Sequence, residues 1–201
     1  MKIFFVAFLM MAVTLQSCQG QTGASQELYN KEFNWSIKIP SGFEAVSKEE
    51  WTRLQNKGTD AIEKTYDQKI ENEATTLFAF RSDRFNYFES NYQPFDPKKD
   101  GDYMESFRNV NSVLYGTFEA QMPKAKLDSS SYQETISGKV FNVFKVIIII
   151  SDKMTLEMLM YSRLFGNKEF TVNIMTADQE KQKVLLAAWR QSTFGTVRQK
   201  Q

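Results

Sequence analysis

One stretch in the second half of the chain narrows the choice of fold more sharply than the rest. From Lys139 to Ile150 the residues are mostly apolar and end in four consecutive isoleucines. A strand exposed on one face alternates apolar and polar residues, so a nearly unbroken apolar run indicates a strand that is buried on both faces. The next segment, Met154 to Phe165, is similarly apolar. The two segments therefore predict a hairpin in a sheet that helices cover on both sides.

Shorter segments predict further strands, either from period-two alternation or from short runs of β-forming residues. They are 33–39, 76–81, 86–92, 131–136 and 170–174. Short turns at Ser137-Gly138 and Gly166-Asn167 connect the last strands, and strands joined by such short turns are antiparallel. The C-terminal half therefore predicts an antiparallel meander.

Three helices are predicted from their caps and from the spacing of apolar residues. Ser47 with Glu50, and Thr176 with Gln179, match capping boxes that precede the first and third helices. We expect the first helix to bend or break near Gly58. The apolar stripes of the second and third helices are Tyr103, Phe107, Val110, Leu114 and Phe118, and Val184, Leu185, Ala188 and Trp189.

These elements together predict an α/β fold. A two-sided apolar strand in an antiparallel meander needs helices above and below it. We therefore expect a three-layer α/β/α sandwich around a mainly antiparallel sheet of about six or seven strands. The length suits one domain, which we place at residues 29–196, followed by a polar tail at 197–201.

The N-terminus predicts export and a lipid anchor. Lys2 precedes an apolar run from Ile3 to Val13, which has the layout of a secretory signal and is shorter than the roughly 20 residues that span a bilayer. The following Leu15-Gln16-Ser17-Cys18 resembles a lipobox, the site of bacterial lipoprotein processing. We therefore expect a signal peptide at 1–17, a lipid on Cys18, and a flexible tether over 18–28.

Residue usage excludes several classes of function. The chain has no histidine and one cysteine, which removes histidine-dependent nucleophile systems, histidine metal ligation and an intramolecular disulfide. It has 25 Lys and Arg against 24 Asp and Glu, and loss of Lys2 with the signal would leave equal numbers. Nucleic-acid-binding domains usually carry a basic excess, so no nucleic-acid partner is expected. With no nucleophile or phosphate-binding motif either, we assign no catalytic residue, cofactor or metal.

The order of elements resembles the PsbP/Mog1-like fold over roughly Phe33 to Phe194. The resemblance depends on three stretches, which are the strand and Pro-Ser-Gly-Phe turn of 33–43, the hairpin of 139–165, and the segment from Phe170 to Thr176 with its final helix. It implies a module for binding or assembly, because known members bind a protein partner or stabilise larger complexes and some are lipid-anchored. It transfers no functional residue, and a metal-binding histidine would have no counterpart here.

Acidic residues are the remaining source of chemistry. The groups Glu49/Glu50, Glu71/Glu73 and Asp100/Asp102/Glu105 offer carboxylates for glycoside hydrolysis, and the third group with Asp96 offers oxygen ligands for Ca²⁺. Their spacing does not match a calcium loop, and they fall in predicted helix faces or loops, where carboxylates are commonly solvated.

Arg81, Arg84 and Tyr87 form the candidate partner surface. Arginine and tyrosine are enriched where protein interfaces gain most of their binding energy. The alternative is a hairpin whose aromatic residues fill the core while the arginines cover its rim.

The sequence thus predicts a non-enzymatic, lipid-anchored protein of the bacterial cell envelope that binds a protein partner or helps an assembly. It would face the periplasm or lie on the outer membrane. Two alternatives stay open, a carrier of a small apolar ligand or lipid, and a carboxylate-dependent hydrolase. A pocket above about 300 Å³ would favour the carrier, and two acids converging in one cleft would favour the hydrolase.

Overall fold

A computed structural model describes residues 26–67, 69 and 73–195. The signal peptide, Cys18 and the tail at 197–201 lie outside the described residues. In chain order the strands are β1 (Glu27–Asn30), β2 (Trp35–Lys38), β3 (Glu44–Ala45), β4 (Thr75–Asp83), β5 (Asn86–Pro94), β6 (Lys126–Ile136), β7 (Lys139–Ser151), β8 (Met154–Phe165), β9 (Lys168–Thr176) and β10 (Thr193–Phe194). The helices are α1 (Lys48–Tyr66), α2 (Pro97–Asp100), α3 (Tyr103–Gln121) and α4 (Gln179–Arg190).

Seven strands form the main sheet, in the spatial order β3-β4-β5-β9-β8-β7-β6, and each neighbouring pair is antiparallel. The β6–β7 hairpin turns at Ser137-Gly138 with positive φ angles of 49° and 74°, the conformation of the two-residue turns that match the twist of antiparallel strands. The predicted meander and sheet size are confirmed. Strands β1, β2 and β10 form a separate antiparallel sheet, and the first two residues of β1, Glu27 and Leu28, lie in the segment that we expected to be tether.

Helices α1 and α3 lie side by side on one face of the main sheet. Tyr66 near the end of α1 donates its hydroxyl to the carbonyl of Val113 in α3, at 3.0 Å. A Cβ atom at Gly116 would lie 2.5 Å from that hydroxyl oxygen, so glycine permits the close approach of Tyr66 to α3. The opposite face is covered by α4 and the small sheet, which completes the predicted three-layer α/β/α architecture.

The core on the α4 face is built mainly from aromatic rings. Trp35 of β2 and Trp189 of α4 are fully buried, with ring centroids 6.1 Å apart. Phe141 and Phe170 from the main sheet pack against Trp189. Each large side chain buried in this way stabilises the fold by about 1.5–3 kcal/mol. This cluster joins the small sheet, the main sheet and α4 into one unit.

Four predictions about the helices are wrong in detail. In α4, Val184 of the predicted apolar stripe is 41% exposed. Helix α1 runs without interruption through Gly58. In α3, Val110 is 47% exposed and Asn111 is buried instead, because neighbouring positions on a helix lie about 100° apart and both flank the apolar stripe. The N-cap of α4 is Asp178, whose carboxylate accepts from two backbone N–H groups, rather than Thr176. The Ser47 cap of α1 is confirmed.

The prediction that the isoleucine run is buried on both faces is wrong for its end. Ile148 is fully buried on the α3 side, whereas Ile149 and Ile150 are each 40% exposed. Strand β9 ends at Thr176, opposite Glu157 of β8. The tip of the β7–β8 hairpin therefore projects past the neighbouring strand, and its apolar side chains lose their cover.

Candidate functional site

Arg81, Arg84 and Tyr87, the candidate residues for binding a partner, lie on the β4–β5 hairpin, and two of the three contact α1. Arg81 and Tyr87 are direct cross-strand neighbours. Arg81 Nη2 lies 2.6 Å from Glu50 Oε1, and the Tyr87 ring packs edge-on against Trp51, with centroids 5.2 Å apart.

Burial, with the nearby Glu89 carboxylate, raises the pKa of Tyr87. Arg84, at the tip of the hairpin, is exposed, and its guanidinium stacks 4.3 Å from the Phe85 ring centroid. Of the three candidate residues, Arg84 is therefore available to a partner, while Arg81 and Tyr87 already have contacts with α1.

Beneath α1 lies a buried polar layer that sequence reasoning missed. Glu89 is 4% exposed and accepts hydrogen bonds from the side-chain amides of Gln55 at 2.9 Å, Asn91 at 2.8 Å and Asn173 at 2.6 Å. Gln55 in turn accepts from the Thr76 hydroxyl at 3.1 Å. The sequence signal for this layer is the row of polar residues that alternate with apolar ones in β5 and β9, but such a row is typical of a solvent-exposed face. Here a helix covers that face.

A second polar network joins α3 to β8 and β9. The Tyr103 hydroxyl lies 2.7 Å from Ser162 Oγ. The Ser162 hydroxyl donates to Glu169 Oε1, and the Gln93 amide donates to Glu169 Oε2 at 2.8 Å. Burial and the Glu169 carboxylate raise the pKa of Tyr103 to about 12, although its hydrogen bond to Ser162 acts in the opposite direction. The hydroxyl therefore stays protonated at neutral pH.

Three of the acidic residues considered as calcium ligands accept hydrogen bonds from backbone N–H groups at helix starts. Asp96 caps α2 and accepts from the backbone N–H of Lys98 at 3.0 Å. Asp102 caps α3 and accepts from the N–H of Glu105 at 3.0 Å, while Asp100 accepts from the N–H of Asp96 at 2.6 Å. Within the described ranges, no three acids or cysteines are grouped closely enough to hold a metal ion.

Glu71 lies outside the described residues, and the other acids considered for hydrolysis do not line the groove that the structure forms between α3 and β6. Glu50 at the start of α1 pairs with Arg81, Asp100 is the last residue of α2, and Asp102 and Glu105 lie at the start of α3. A groove of about 440 Å³ lies between α3 and β6, and Glu119 is the acidic member of its lining. A pair of converging carboxylates is therefore missing from this groove.

The groove between α3 and β6 is the site that the sequence did not indicate. Its walls include Arg108 and Glu119 from α3, and Ser129 and Ser131 from β6. Phe144 of β7 is an apolar member of the lining. The volume of the groove exceeds the roughly 300 Å³ expected of a carrier, but the groove is open to solvent along the edge of the main sheet and carries the charged Arg108 and Glu119, so it does not enclose a small apolar ligand.

Strand β6 leaves an open edge beside this groove. It pairs with β7 along all eleven of its residues and has no neighbour on its other side among the described strands. Most of its residues are exposed. An edge of this length presents unpaired backbone N–H and C=O groups that can pair with another chain.

A scan against protein-family models and a search of curated protein sequences find no match. Among solved structures, the chain is similar to cyanobacterial PsbP (CyanoP) from Synechocystis sp. PCC 6803. The TM-score is 0.51 and the identity 13%, covering 90% of this chain and 99% of that one. It also matches the Saccharomyces cerevisiae Ran-binding protein Mog1p with a TM-score of 0.42 and 8% identity, over 85% of this chain and 95% of that one. The PsbP likeness confirms the predicted fold. Across the part of the chain described, no helix combines the length and apolar character of a membrane span.

Proposed function

We propose that this protein is a lipid-anchored component of the bacterial cell envelope that binds a protein partner and catalyses no reaction. Its fold would serve as a binding or assembly module, held at a membrane by the lipid on Cys18. The anchor and the partner are separate parts of the proposal, and each has its own test.

The exposed end of the β7–β8 hairpin carries the partner proposal. Ile149 and Ile150 are each 40% exposed at the tip of a strand whose other isoleucines are buried or half-buried. Lys126 of the β6 edge lies directly opposite Ile149. Exposed apolar residues grouped beside an open strand edge are typical of sites that bind another protein.

The buried polar groups support a non-enzymatic role. Glu89 accepts from three amides, Glu169 from a hydroxyl and an amide, and Glu134 from the Tyr161 hydroxyl and Arg190. Burial and the Glu134 carboxylate raise the pKa of Tyr161. Groups held in this way stabilise the fold, because a buried polar atom without a partner is costly.

The position of β1 is compatible with an anchor at Cys18. Glu27, the first residue of β1, follows Cys18 by nine positions. Nine residues reach at most about 30 Å when fully extended. A lipid on Cys18 would therefore keep the domain close to the membrane surface, within reach of other envelope proteins.

Replacement of the lipidated residue tests the anchor. We expect Cys18→Ser to abolish lipid attachment, leave the signal uncleaved by lipoprotein processing, and change the membrane fractionation of the protein. The matched control is Ser17→Ala, which keeps a small residue before the cysteine and should be processed normally. Processing and fractionation of Cys18→Ser that equal those of the natural chain would refute the anchor.

Site-specific crosslinking in intact cells tests the partner. A photocrosslinking amino acid in place of Ile150 should capture the same protein reproducibly by mass spectrometry. The control position is Lys57, which is exposed on α1. Equal capture from both positions, or no reproducible product from position 150, would contradict a partner at the hairpin end.

A further inference from the structure

The β6 edge and the groove beside it have the geometry of a site for an added strand. The backbone N–H and C=O groups on the open side of β6 can pair with another strand in the plane of the sheet. Helix α3 forms a wall on one face of that position. Ser129 and Ser131 are the β6 residues that line the groove. Because these side chains are small, the space between the strand and the helix stays open along the edge. Peptides that extend a sheet gain affinity from the main chain and specificity from such side-chain spaces.

The direction of α3 relative to β6 fixes which end of the groove is which. The Tyr115 hydroxyl donates to the carbonyl of Leu127 at 3.4 Å, near the start of β6. Met104 Sδ accepts from the amide of Asn142, which lies opposite Gln133 near the end of β6. Helix α3 therefore runs antiparallel to β6.

Two opposite charges lie at the two ends of the groove. Arg108 is toward the Gln133 end, and Glu119 is toward the Leu127 end, as the direction of α3 requires. Both are exposed, and neither forms an ion pair with another described residue. Eleven helical residues separate them by about 16 Å, which corresponds to about five residues of extended chain. Residues that point to the same side of a strand differ by an even number, so the matching spacing is four to six.

We propose that this site binds an extended segment of a partner protein as an eighth strand, antiparallel to β6. The segment carries an acidic residue that meets Arg108 and, four to six positions later, a basic residue that meets Glu119. Small or β-branched side chains lie between them. This inference deepens the proposed function, since it names the chemistry of the partner and the surface that receives it.

The β6 strand of a second copy does not match the charges of this site. The β6 residues on the α3 side are Leu127, Ser129, Ser131, Gln133 and Thr135. A second β6 strand paired edge to edge would present these same residues to the groove, and none of them is charged. The β6 strand of a second copy would therefore supply no charged residue to Arg108 or Glu119, whereas a segment of the proposed charge pattern pairs with both.

Peptide binding to the full chain, purified in a mild detergent, tests the proposal. The probe is a capped nine-residue peptide of alternating valine and threonine, with glutamate at position 3 and lysine at position 7. The control peptide has these two residues exchanged. By fluorescence anisotropy we expect the control to bind at least tenfold more weakly. The double variant Arg108→Glu with Glu119→Arg should reverse this preference, and both positions are exposed, so the fold should be retained.

A matched pair of β6 variants tests the location. Ser131→Phe would fill the groove and should weaken binding of the probe at least tenfold. Ser130→Phe places the same ring on the opposite face of the sheet and should change binding less than twofold. Amide NMR signals that shift on binding should belong to β6 and α3.

Four results would overturn the proposal. They are equal affinity for the two peptides, no binding of either, NMR shifts confined to other elements, or dimerisation of the chain through β6 that Arg108→Glu leaves unchanged. A partner captured at position 150 in cells without peptide binding would leave the proposed function standing and remove this site. Peptide binding without a cellular partner would keep the site and remove the proposed function.

Discussion

Helices α1 and α3 cover the same face of the main sheet, but the sheet surface beneath α3 is apolar and the surface beneath α1 is polar. Beneath α3 the sheet presents Phe144 and Val146, and the helix buries Phe107 against them. Beneath α1 the sheet presents Glu89, which is held by the side-chain amide of Gln55 from the helix. One helix is therefore attached mainly by apolar burial, and the other by directed hydrogen bonds, one ion pair and the packing of Trp51 against Tyr87.

The contrast shows two ways of attaching a helix to a sheet. Apolar contacts are non-directional, and their strength follows the area removed from water. Hydrogen bonds contribute little net stability, but removing one partner leaves the others buried and unpaired at high cost. We therefore infer that the α3 contact supplies most of the stability on this face, while the α1 contact fixes the position of its helix more narrowly.

The largest expected effect on stability comes from a change in the apolar contact between α3 and the sheet. Phe107→Ala should lower the free energy of unfolding by about 3–5 kcal/mol, because it removes a buried ring and leaves a cavity. Guanidinium denaturation measures this. Phe107→Leu, which keeps an apolar side chain, should cost less than half as much. A loss below about 1 kcal/mol for the alanine variant would show that α3 is not held by apolar burial.

In the polar contact beneath α1, Glu89→Leu should lower the free energy of unfolding by about 2–4 kcal/mol, because three half-buried amides lose their acceptor. Glu89→Gln keeps the length and one acceptor oxygen, so it should cost about half as much. Urea denaturation of both variants gives the comparison. A leucine variant as stable as the glutamine variant would mean that the hydrogen bonds to Glu89 do not hold α1.

The smallest expected effect is a pH dependence of the β4–β5 hairpin. Burial acts to raise the pKa of Asp83, but hydrogen bonds from Lys181, the N–H of Phe85 and the amide of Asn86 outweigh it and lower that pKa. A lowered folded-state pKa stabilises the fold above the unfolded value of 3.8 and loses this contribution as the pH falls below it. The Asp83 side chain is 40% exposed, so the loss should stay under about 1 kcal/mol.

Denaturation at pH 5.5 and pH 3.0 measures this loss, with Asp83→Asn as the control. The control should have a smaller difference between the two pH values than the natural chain. An identical difference would show that Asp83 does not contribute. Hydrogen exchange at the two pH values would then compare the hairpin with the apolar contact beneath α3, where Phe107, Phe144 and Val146 carry no titratable group.

Much of the fold followed from patterns along the chain, and the errors share a physical origin. The β7–β8 hairpin, the three long helices and the Ser47 cap were predicted from local spacing and are confirmed. Strands β1, β3 and β10 were missed, because two to four residues carry too little periodicity and the partner strand decides their conformation. Asp178 caps α4 in place of Thr176 because several polar residues adjoin that helix start.

The candidate site was less accessible to sequence reasoning. Arg81 and Tyr87 were selected by residue type, yet both contact α1, and only their neighbours in space could show that. The polar side of β5 suggested solvent, although Glu89 is buried beneath a helix. The groove lies between α3 and β6, and no pattern in either segment specifies the distance between the helix and the strand.

The sequence alone determined which of the longer segments become strands or helices and which faces are apolar, because 3.6-residue and two-residue periodicities are local properties of the backbone. It also carried the signal for an anchor at Cys18, which remains a prediction. The tertiary structure decided which faces are covered, which edge stays open, and where Ile149 and Ile150 lose their cover, because these depend on where separate elements end relative to one another. Burial is a relation between distant parts of the chain, and no single segment specifies it.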